Sequence, residues 1–206
     1  MKISYAITVC NEIEEIKRLV SFLLEHKREE DEIIVLLDKP KAPQDLLDFL
    51  YICSSNNQIT LKESIFKEHF ADWKNELNQM CKGDFIFNID ADEVPNETLI
   101  NALPAILENN DFDICLVPRV NTVEGLTKAH IQKWGWSVNE HGWVNWPDKQ
   151  WRLYKNTPEI KWENKVHERL VGFKTYTTLP EVLEMSLFHH KTIDRQEKQN
   201  EFYERI

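Results

Sequence analysis

Residues 84–92 read Asp-Phe-Ile-Phe-Asn-Ile-Asp-Ala-Asp, an apolar run that ends in two aspartates. The run predicts a buried β-strand that stops directly before Asp90. Upstream, the apolar spacing of residues 70–81 predicts a helix, and Gly83 just past it suits a C-cap. Asp90 and Asp92 then follow a strand end, where two carboxylates can share one hard divalent cation such as Mg²⁺ or Mn²⁺.

Outward from this run, strand and helix patterns alternate through the first half of the chain. Strands are predicted at 3–9, 32–37, 58–61 and 113–118, and helices at 12–27, at 44–53 and after the capping residue Asn96. Such alternation indicates an α/β fold with a mainly parallel sheet flanked by helices. Ligands bind these sheets at the carboxyl ends of the strands. The strand ends of interest are Thr8 to Glu12, Asp38, and Asp90 to Glu93.

After Arg119 the pattern changes to short alternating stretches. They predict antiparallel strands near 150–155, 159–162 and 166–171, one further strand at 181–188, and a polar C-terminal helix at 193–206. No internal repeat divides the chain, and no linker rich in glycine or proline interrupts it. A single domain is therefore expected, with a small antiparallel region beside the main sheet.

Composition and charge narrow the class of protein. The 206 residues are 42% hydrophobic and 29% charged, which suits a packed domain rather than a disordered chain. The net charge of −10 argues against non-specific binding of nucleic acid or anionic membranes, since both would repel the protein. We therefore expect no nucleic-acid partner, and an anionic ligand would need a bridging cation.

The cysteines and the N-terminus predict a cytoplasmic protein. Cys10, Cys53, Cys81 and Cys115 are far apart and form no CxxC pair, so buried free thiols are expected rather than disulfides or zinc ligands. The N-terminal apolar run meets charged residues too early for a signal peptide. No apolar run reaches the length of a membrane span, so no transmembrane segment is expected.

Three segments together resemble glycosyltransferase family 2, whose members have the GT-A fold. Residues 7–12, Ile-Thr-Val-Cys-Asn-Glu, look like the opening strand and turn that contact the nucleotide in that family. Residues 70–75, Phe-Ala-Asp-Trp-Lys-Asn, followed by 82–93, look like its helix, glycine turn and metal strand. Residues 146–154, with Val-His-Glu at 166–168, resemble the acceptor half of the branch that makes lipopolysaccharide-core and related glycans.

Two positions depart from the family pattern. Residues 37–40 read Leu-Asp-Lys-Pro where members usually carry Asp-Asp-Gly-Ser, which leaves Asp38 as the acceptor for a uracil ring. Lys74 stands where arginine is usual, so a compact ammonium group replaces the planar guanidinium group. The resemblance still implies a single Rossmann-like GT-A domain over residues 1–206. Residues 1–118 would form its nucleotide-sugar-binding half, and residues 119–206 its acceptor-side half.

The resemblance implies a metal-dependent, inverting glycosyltransferase. Its donor would be a nucleoside-diphosphate sugar, expected to be a UDP-sugar, and its acceptor a hydroxyl group, expected on a glycan. Mn²⁺ or Mg²⁺ would bridge the protein and the diphosphate. Carried over position by position, the donor-side residues would be Thr8, Asn11, Glu12 and Asp38 around the nucleoside, Lys74 and Asn75 at the ribose or phosphate, Asp90 at the ribose or metal, Ala91 through its backbone, and Asp92 as the firmest metal ligand.

The second half carries further candidates, and two choices among them stay open. The general base that an inverting transfer needs would be Glu168, with Asp148 as the alternative. His189 or His190 would complete the metal site. Lys191 would hold the diphosphate leaving group through its positive charge.

Four tryptophans, at positions 134, 136, 143 and 146, lie among Gly, His and Asn residues. Flat rings stack on the apolar faces of sugars, so these side chains are candidates for an acceptor site. Core packing is the alternative role for each of them.

Two other functions fit parts of the sequence. An apolar strand followed by Asp-x-Asp also resembles haloacid-dehalogenase-type phosphatases, in which Asp90 would be the nucleophile. A non-catalytic nucleotide-sugar-binding domain of a larger protein would keep the donor residues without performing the transfer.

Overall fold

The computed structural model describes residues 1–206, which form twelve strands and six α-helices. The strands are β1 Ile3–Val9, β2 Glu32–Asp38, β3 Thr60–Ser64, β4 Phe85–Asp90, β5 Glu93–Pro95, β6 Ile114–Val117, β7 Arg119–Glu124, β8 Gln150–Lys155, β9 Lys161–Glu163, β10 Arg169–Val171, β11 Tyr176–Thr178 and β12 Leu187–Thr192. The helices are α1 Ile13–His26, α2 Gln44–Ser55, α3 Phe70–Asn78, α4 Glu97–Asn109, α5 Lys128–Trp134 and α6 Ile193–Arg205. No helix combines the length and the apolar character that crossing a membrane requires.

A seven-stranded sheet forms the centre, in the order β11-β6-β8-β4-β1-β2-β3. The pairs β1–β2, β1–β4 and β2–β3 are parallel, whereas β8 runs antiparallel to both β4 and β6. A second sheet has the order β5-β12-β7, and β9 pairs with β10 alone. The expected mixed, mainly parallel sheet with helices, a small antiparallel part and a C-terminal helix is confirmed.

Both faces of the central sheet are covered, because alternate residues of each strand point to opposite sides. On one face, side chains of β1, β2 and β4 pack with α1, α2 and α4. On the other face, Ala6, Ile34 and Ile86 pack under α3 and the β9–β10 pair. Strands buried on both sides read as continuous apolar runs, which is why the sequence revealed them.

Gly83 has a role different from the predicted C-cap. Helix α3 ends at Asn78, well before the glycine. A Cβ atom at Gly83 would lie only 2.6 Å from the backbone nitrogen of Ser4, so no other residue fits against β1 here. The Gly83 N–H donates to the Ser4 Oγ at 2.8 Å. Gly83 therefore allows the chain to enter β4 in close contact with β1.

Two predicted strands occupy different places from those expected. The stretch 150–155 forms β8, but it lies inside the central sheet between β4 and β6 rather than in a separate region. The strand expected at 181–188 begins only at Leu187, because residues 183–185 form a short 3-10 turn. The buried positions of β12 are Leu187, His189 and Lys191; the last two are polar, so the apolar pattern stopped at Phe188 and missed the rest of the strand.

Candidate functional site

A cleft of about 1020 Å³ opens at the carboxyl ends of β1, β2 and β4. The β12 strand borders it, since His189 pairs with Glu93 beside the end of β4. Most residues predicted for the site line this cleft: Thr8, Asn11, Glu12, Asp38, Lys74, Asp90, Ala91, Asp92, Asp148, Glu168, His189 and Lys191. The fold therefore gathers side chains from both halves of the sequence.

Two carboxylates shape the wall that follows β1 and β2. Glu12 closes the turn after β1, because it accepts hydrogen bonds from the N–H groups of Cys10 and Asn11 at 2.8 and 3.0 Å. Asp38 is only 3% exposed and accepts the N–H of Phe66 at 3.1 Å. Asn11 is exposed on the cleft wall. Each carboxylate thus holds a loop in place while it faces the cleft.

Three basic side chains surround the carboxylate of Asp92. The Asp92 Oδ2 lies 3.2 Å from the His189 Nε2, 3.8 Å from the Lys191 Nζ and 3.5 Å from Arg195. Burial acts to raise the pKa of Asp92, but the hydrogen bond and charge of His189 together with Lys191 outweigh it and hold the pKa well below its usual value. Burial lowers the pKa of Lys191. This part of the cleft is therefore built for an anionic group.

Asp90 faces a second group of charges. It is hydrogen-bonded to Arg152, and its Oδ1 lies 3.6 Å from the Lys74 Nζ. The same ammonium group lies 2.7 Å from Glu168 and 4.6 Å from the centre of the Trp162 ring. Burial acts to raise the pKa of Glu168, yet the charge of Lys74 outweighs it and lowers the pKa. Lys74 therefore joins a carboxylate on the β4 side to one on the opposite loop.

A buried ionic network lies beneath these groups and is centred on Glu93. This residue is fully buried and accepts hydrogen bonds from Arg119 at 2.7 Å and Arg152 at 2.6 Å. It also accepts the backbone N–H of Asp90 at 3.1 Å. Arg119 in turn contacts Asp148 at 2.7 Å. The turn that carries Asp90 is thus tied to Asp148 through the side chains of Glu93 and Arg119.

Asn75 and His190 do not reach the cleft, contrary to expectation. The side chain of Asn75 accepts the N–H of Trp162 and donates to its C=O, both at 2.9 Å, so it pins α3 to β9. His190 points away from Asp92 because neighbouring residues of a strand face opposite sides. Its Nδ1 contacts Thr122 at 2.9 Å, and its side chain is 59% exposed.

The tryptophan-rich segment forms one rim of the cleft. Trp134 and Trp136 have ring centroids 4.6 Å apart, and Trp143 and Trp146 have theirs 5.1 Å apart. All four rings are half-buried, and Trp136 lines the cleft directly. The segment therefore presents aromatic surface beside the charged groups without being part of the core.

Three residues of the cleft wall other than glycine have positive φ angles. They are Asn145 at 54°, Asp148 at 33° and His167 at 53°. Such conformations cost free energy, and they concentrate at functional sites where the surrounding structure enforces them. Their presence on the side of Glu168 and Asp148 supports a site there.

The sequence assigns no site role to Arg119, Asn121, Arg152 or Arg195. Glu93 lies at a predicted strand end of interest but likewise receives no role from the sequence. Arg119 and Asn121 directly follow the strand predicted to end at 118, so their place at a strand end was a usable signal. Arg195 lies on a polar helix, where its charge is typical of a solvent-exposed face. Its contacts with Asp92 at 3.5 Å and with Glu15 depend on how α6 packs.

The pair Asp92 and His189 fits a divalent cation. Their facing atoms lie 3.2 Å apart, and neighbouring ligands of an octahedral cation bound at about 2.1 Å lie about 3 Å apart. No group of three or more His, Cys, Asp or Glu side chains suited to a metal occurs in the chain. The pair therefore suits a cation that takes its other ligands from water and phosphate. An imidazole ligand favours Mn²⁺ over Mg²⁺.

Known proteins share both the sequence pattern and the fold. The chain matches the model of "Glycosyl transferase family 2" over residues 4–190. No curated protein matches the sequence. The crystal structure of S. aureus TarS superposes with a TM-score of 0.60 at 14% identity, over 97% of this chain and 38% of TarS. TarS 1-349 with UDP gives 0.62 at 14% identity, over 92% and 60%. TarS 1-349 with UDP-GlcNAc gives 0.63 at 15% identity, over 93% and 59%.

These matches establish fold and family. At such low identities the TarS structures show the shared GT-A fold, and this chain spans only 38% to 60% of their length. The family match extends over residues 4–190, so it includes β4, β12 as far as His190 and most of the cleft, whereas Lys191 and the α6 residues of the cleft lie beyond it. It also sets aside the phosphatase alternative. The chain therefore belongs to glycosyl transferase family 2.

Proposed function

We propose that this chain transfers a sugar from a nucleoside-diphosphate sugar to a hydroxyl group, with inversion and with the help of a divalent cation. One observation carries the proposal. The same cleft holds Asp92 and His189, flanked by the cations Lys191 and Arg195, and also holds the carboxylate of Glu168. The two parts match the two demands of the reaction, a site for a diphosphate and a base for an acceptor.

The donor side is proposed from the charges around Asp92. Lys191 and Arg195 would offset the negative charge of the diphosphate, and Asp92 with His189 would hold Mn²⁺ or Mg²⁺. When bound, such a cation stabilises the leaving group as a Lewis acid. Asp38 and the turn after β1 would receive the nucleoside. TarS has been solved with UDP and with UDP-GlcNAc, which favours a UDP-sugar as the donor.

The base is proposed to be Glu168 rather than Asp148. Asp148 accepts hydrogen bonds from Arg119, Asn121 and Gln150, so three of its roughly four lone-pair sites are occupied, and its charge is paired with that of Arg119. The carboxylate of Glu168 faces the cleft and is paired with Lys74 at 2.7 Å. Its lowered pKa keeps it ionised at neutral pH, ready to accept a proton.

The transfer itself then proceeds in one displacement. The acceptor oxygen attacks the anomeric carbon while its proton passes to Glu168. The bond from that carbon to the diphosphate breaks, and its electron pair leaves with the nucleoside diphosphate. Attack from the side opposite the leaving group inverts the configuration. A general base at this position contributes about 10²- to 10⁴-fold to the rate.

The acceptor is proposed to be a glycan. Trp136 lines the cleft, and the half-buried rings of Trp134, Trp143 and Trp146 belong to the same segment. Aromatic faces of this kind suit the apolar faces of sugar rings. A single domain would then perform both tasks, with residues 1–118 supplying most of the nucleoside wall and residues 119–206 most of the acceptor wall.

The test measures binding and transfer separately. Wild-type protein should bind UDP with Mn²⁺ in calorimetry and should hydrolyse or transfer a UDP-sugar. Asp92→Ala and His189→Gln should lose Mn²⁺-dependent binding, while the control His190→Gln should retain it. Glu168→Gln should bind UDP normally but lose turnover by about 10²- to 10⁴-fold. Unchanged binding by Asp92→Ala would refute the donor site, and binding by wild type without any turnover would favour the non-catalytic alternative.

A further inference from the structure

Asn121 lies between two residues of the site and contacts both. It belongs to β7 and is the register partner of His189 on β12. Its side-chain Nδ2 donates to the Asp148 Oδ2 at 2.6 Å, and its Oδ1 lies 2.8 Å from the His189 Nδ1. A single amide therefore links a carboxylate anchored in the buried network to the histidine that faces Asp92.

The orientation of this amide follows from its partners. The Nδ2 group also lies 3.4 Å from the carbonyl oxygen of Val144, so both of its partners can only accept hydrogen bonds. A flipped amide would place its oxygen against the carboxylate of Asp148 and against that carbonyl. Both contacts would then be repulsive, so the Oδ1 atom must face His189.

This orientation determines the tautomer of His189. An amide oxygen only accepts hydrogen bonds, so the His189 Nδ1 must carry the proton that is donated to it. The other ring nitrogen, Nε2, faces the Asp92 Oδ2 at 3.2 Å, so it can donate a proton to that carboxylate or, where a cation lies between the two, offer the cation its lone pair. A ring nitrogen with a free lone pair beside a carboxylate is the arrangement in which a histidine and an aspartate can share a cation.

Asn121 is itself held firmly in place. Asp148 accepts hydrogen bonds from the Arg119 Nε and the Gln150 Nε2, both at 2.8 Å. Arg119 continues to Glu93, whose other oxygen accepts the N–H of Asp90 at 3.1 Å. The contacts thus run from one end of the Asp90–Asp92 turn through the buried network and return to its other end at His189.

We infer that Asn121 is a positioning residue that locks His189 in the Nδ1–H tautomer and directs the Nε2 lone pair toward the cation side of Asp92. Asp148 serves as the anchor of Asn121. The inference rests on the proposed function, in which Asp92 and His189 hold a divalent cation together with the diphosphate. Partners of this kind behind a metal-binding histidine typically change metal affinity by about 10- to 100-fold when they are removed.

The experiment compares Asn121→Leu with Thr122→Val. Thr122 makes the corresponding contact with His190 at 2.9 Å, one residue further along the same two strands. Nitrogen-15 NMR should show a protonated Nδ1 atom of His189 in wild type and in Thr122→Val. In Asn121→Leu the Nδ1 atom should lose its proton in the neutral ring, and the remaining ring proton should lie on the Nε2 atom, where Asp92 accepts it.

Binding supplies the second readout. Electron paramagnetic resonance of Mn²⁺ in the presence of UDP measures the dissociation constant of Mn²⁺. It should be about 10- to 100-fold larger in Asn121→Leu and unchanged in Thr122→Val. An unprotonated Nδ1 atom in wild type, or wild-type Mn²⁺ affinity in a folded Asn121→Leu, would overturn the inference. If Asn121→Leu fails to fold, Asn121→Ala, which removes the same acceptor with a smaller side chain, supplies both readouts. If wild type binds neither UDP nor Mn²⁺, the proposed function fails instead, and the tautomer measurement separates that result from a failure of Asn121.

Discussion

Replacing Lys74 with methionine removes the one charge that Asp90 and Glu168 share. The Lys74 Nζ lies 2.7 Å from Glu168 and 3.6 Å from Asp90, and its side chain is only 5% exposed. Methionine has a similar length, so packing against Trp162 should survive while the charge is lost. Breaking a buried ion pair from one side costs about 3–5 kcal/mol in the free energy of unfolding. Asp90 keeps Arg152 as a partner, so most of the loss in unfolding free energy should come from the Glu168 carboxylate, which is left without its cation.

The substitution also predicts a change in pH dependence. In wild type, burial raises the pKa of Glu168 and Lys74 outweighs it, so the pKa is lowered. Such a carboxylate stabilises the fold above its unfolded pKa, and the stabilisation is lost as the pH falls through the folded pKa. Without Lys74, burial and the negative charge of Asp90 remain, and both raise the pKa. Tyr203 lies on the same side and stays neutral, since burial raises its pKa to about 12. The base is then ionised only at higher pH.

Two assays check this reasoning. The acid limb of the pH profile of kcat/KM should move to higher pH in Lys74→Met and should return toward wild type in Lys74→Arg. Urea denaturation should show the loss of stability at neutral pH and a smaller loss in acid. Lys62→Met is the matched control, because Lys62 and Glu76 are 2.9 Å apart at a far more exposed position, where a pair contributes at most about 1 kcal/mol. An unchanged acid limb in Lys74→Met would refute the assignment of Glu168 as the base that Lys74 controls.

Two further substitutions test the structure around the cleft. Gly83→Ala should destabilise the fold by about 1–3 kcal/mol or more, because the new Cβ would lie 2.6 Å from the Ser4 nitrogen. Thermal denaturation checks this. An unchanged melting temperature would contradict the close contact of the chain with β1. Asn75→Ala should cost about 1–3 kcal/mol, since the N–H and C=O of Trp162 lose their partners. UDP affinity should stay unchanged in Asn75→Ala, and a selective loss of UDP binding would instead restore the donor role expected from the sequence.

The donor side of the fold was predictable because its signals are local. To predict a buried strand that ends at Asp90, only the apolar run and the acidic residues after it are needed. The structure has this strand as β4, Phe85–Asp90. One error there was avoidable. Lys74 and Asn75 are neighbours on a helix, and successive helical side chains point about 100° apart. The two could not both face the same narrow cleft, and only Lys74 does.

The choice between His189 and His190 shows where local signals end. Strand alternation states that one of the two faces inward, but not which one. The register of β12 between β5 and β7 decides it by placing His189 beside Asn121 and Glu93. The polar inner face of β12 gave no apolar pattern from which that register could be read.

By itself, the sequence determined the α/β class, the order of the parallel strands along the chain, the acidic turn at Asp90–Asp92 and the family. All of these depend on residues close together in the chain, where apolar spacing and short motifs report directly on local structure. Only the tertiary structure decided which distant charges meet. Arg152 and Arg195 reach the acidic turn, and Arg119 reaches the adjacent Glu93, from three separate elements. Ion pairs over such separations depend on strand order and helix packing, which no local pattern encodes.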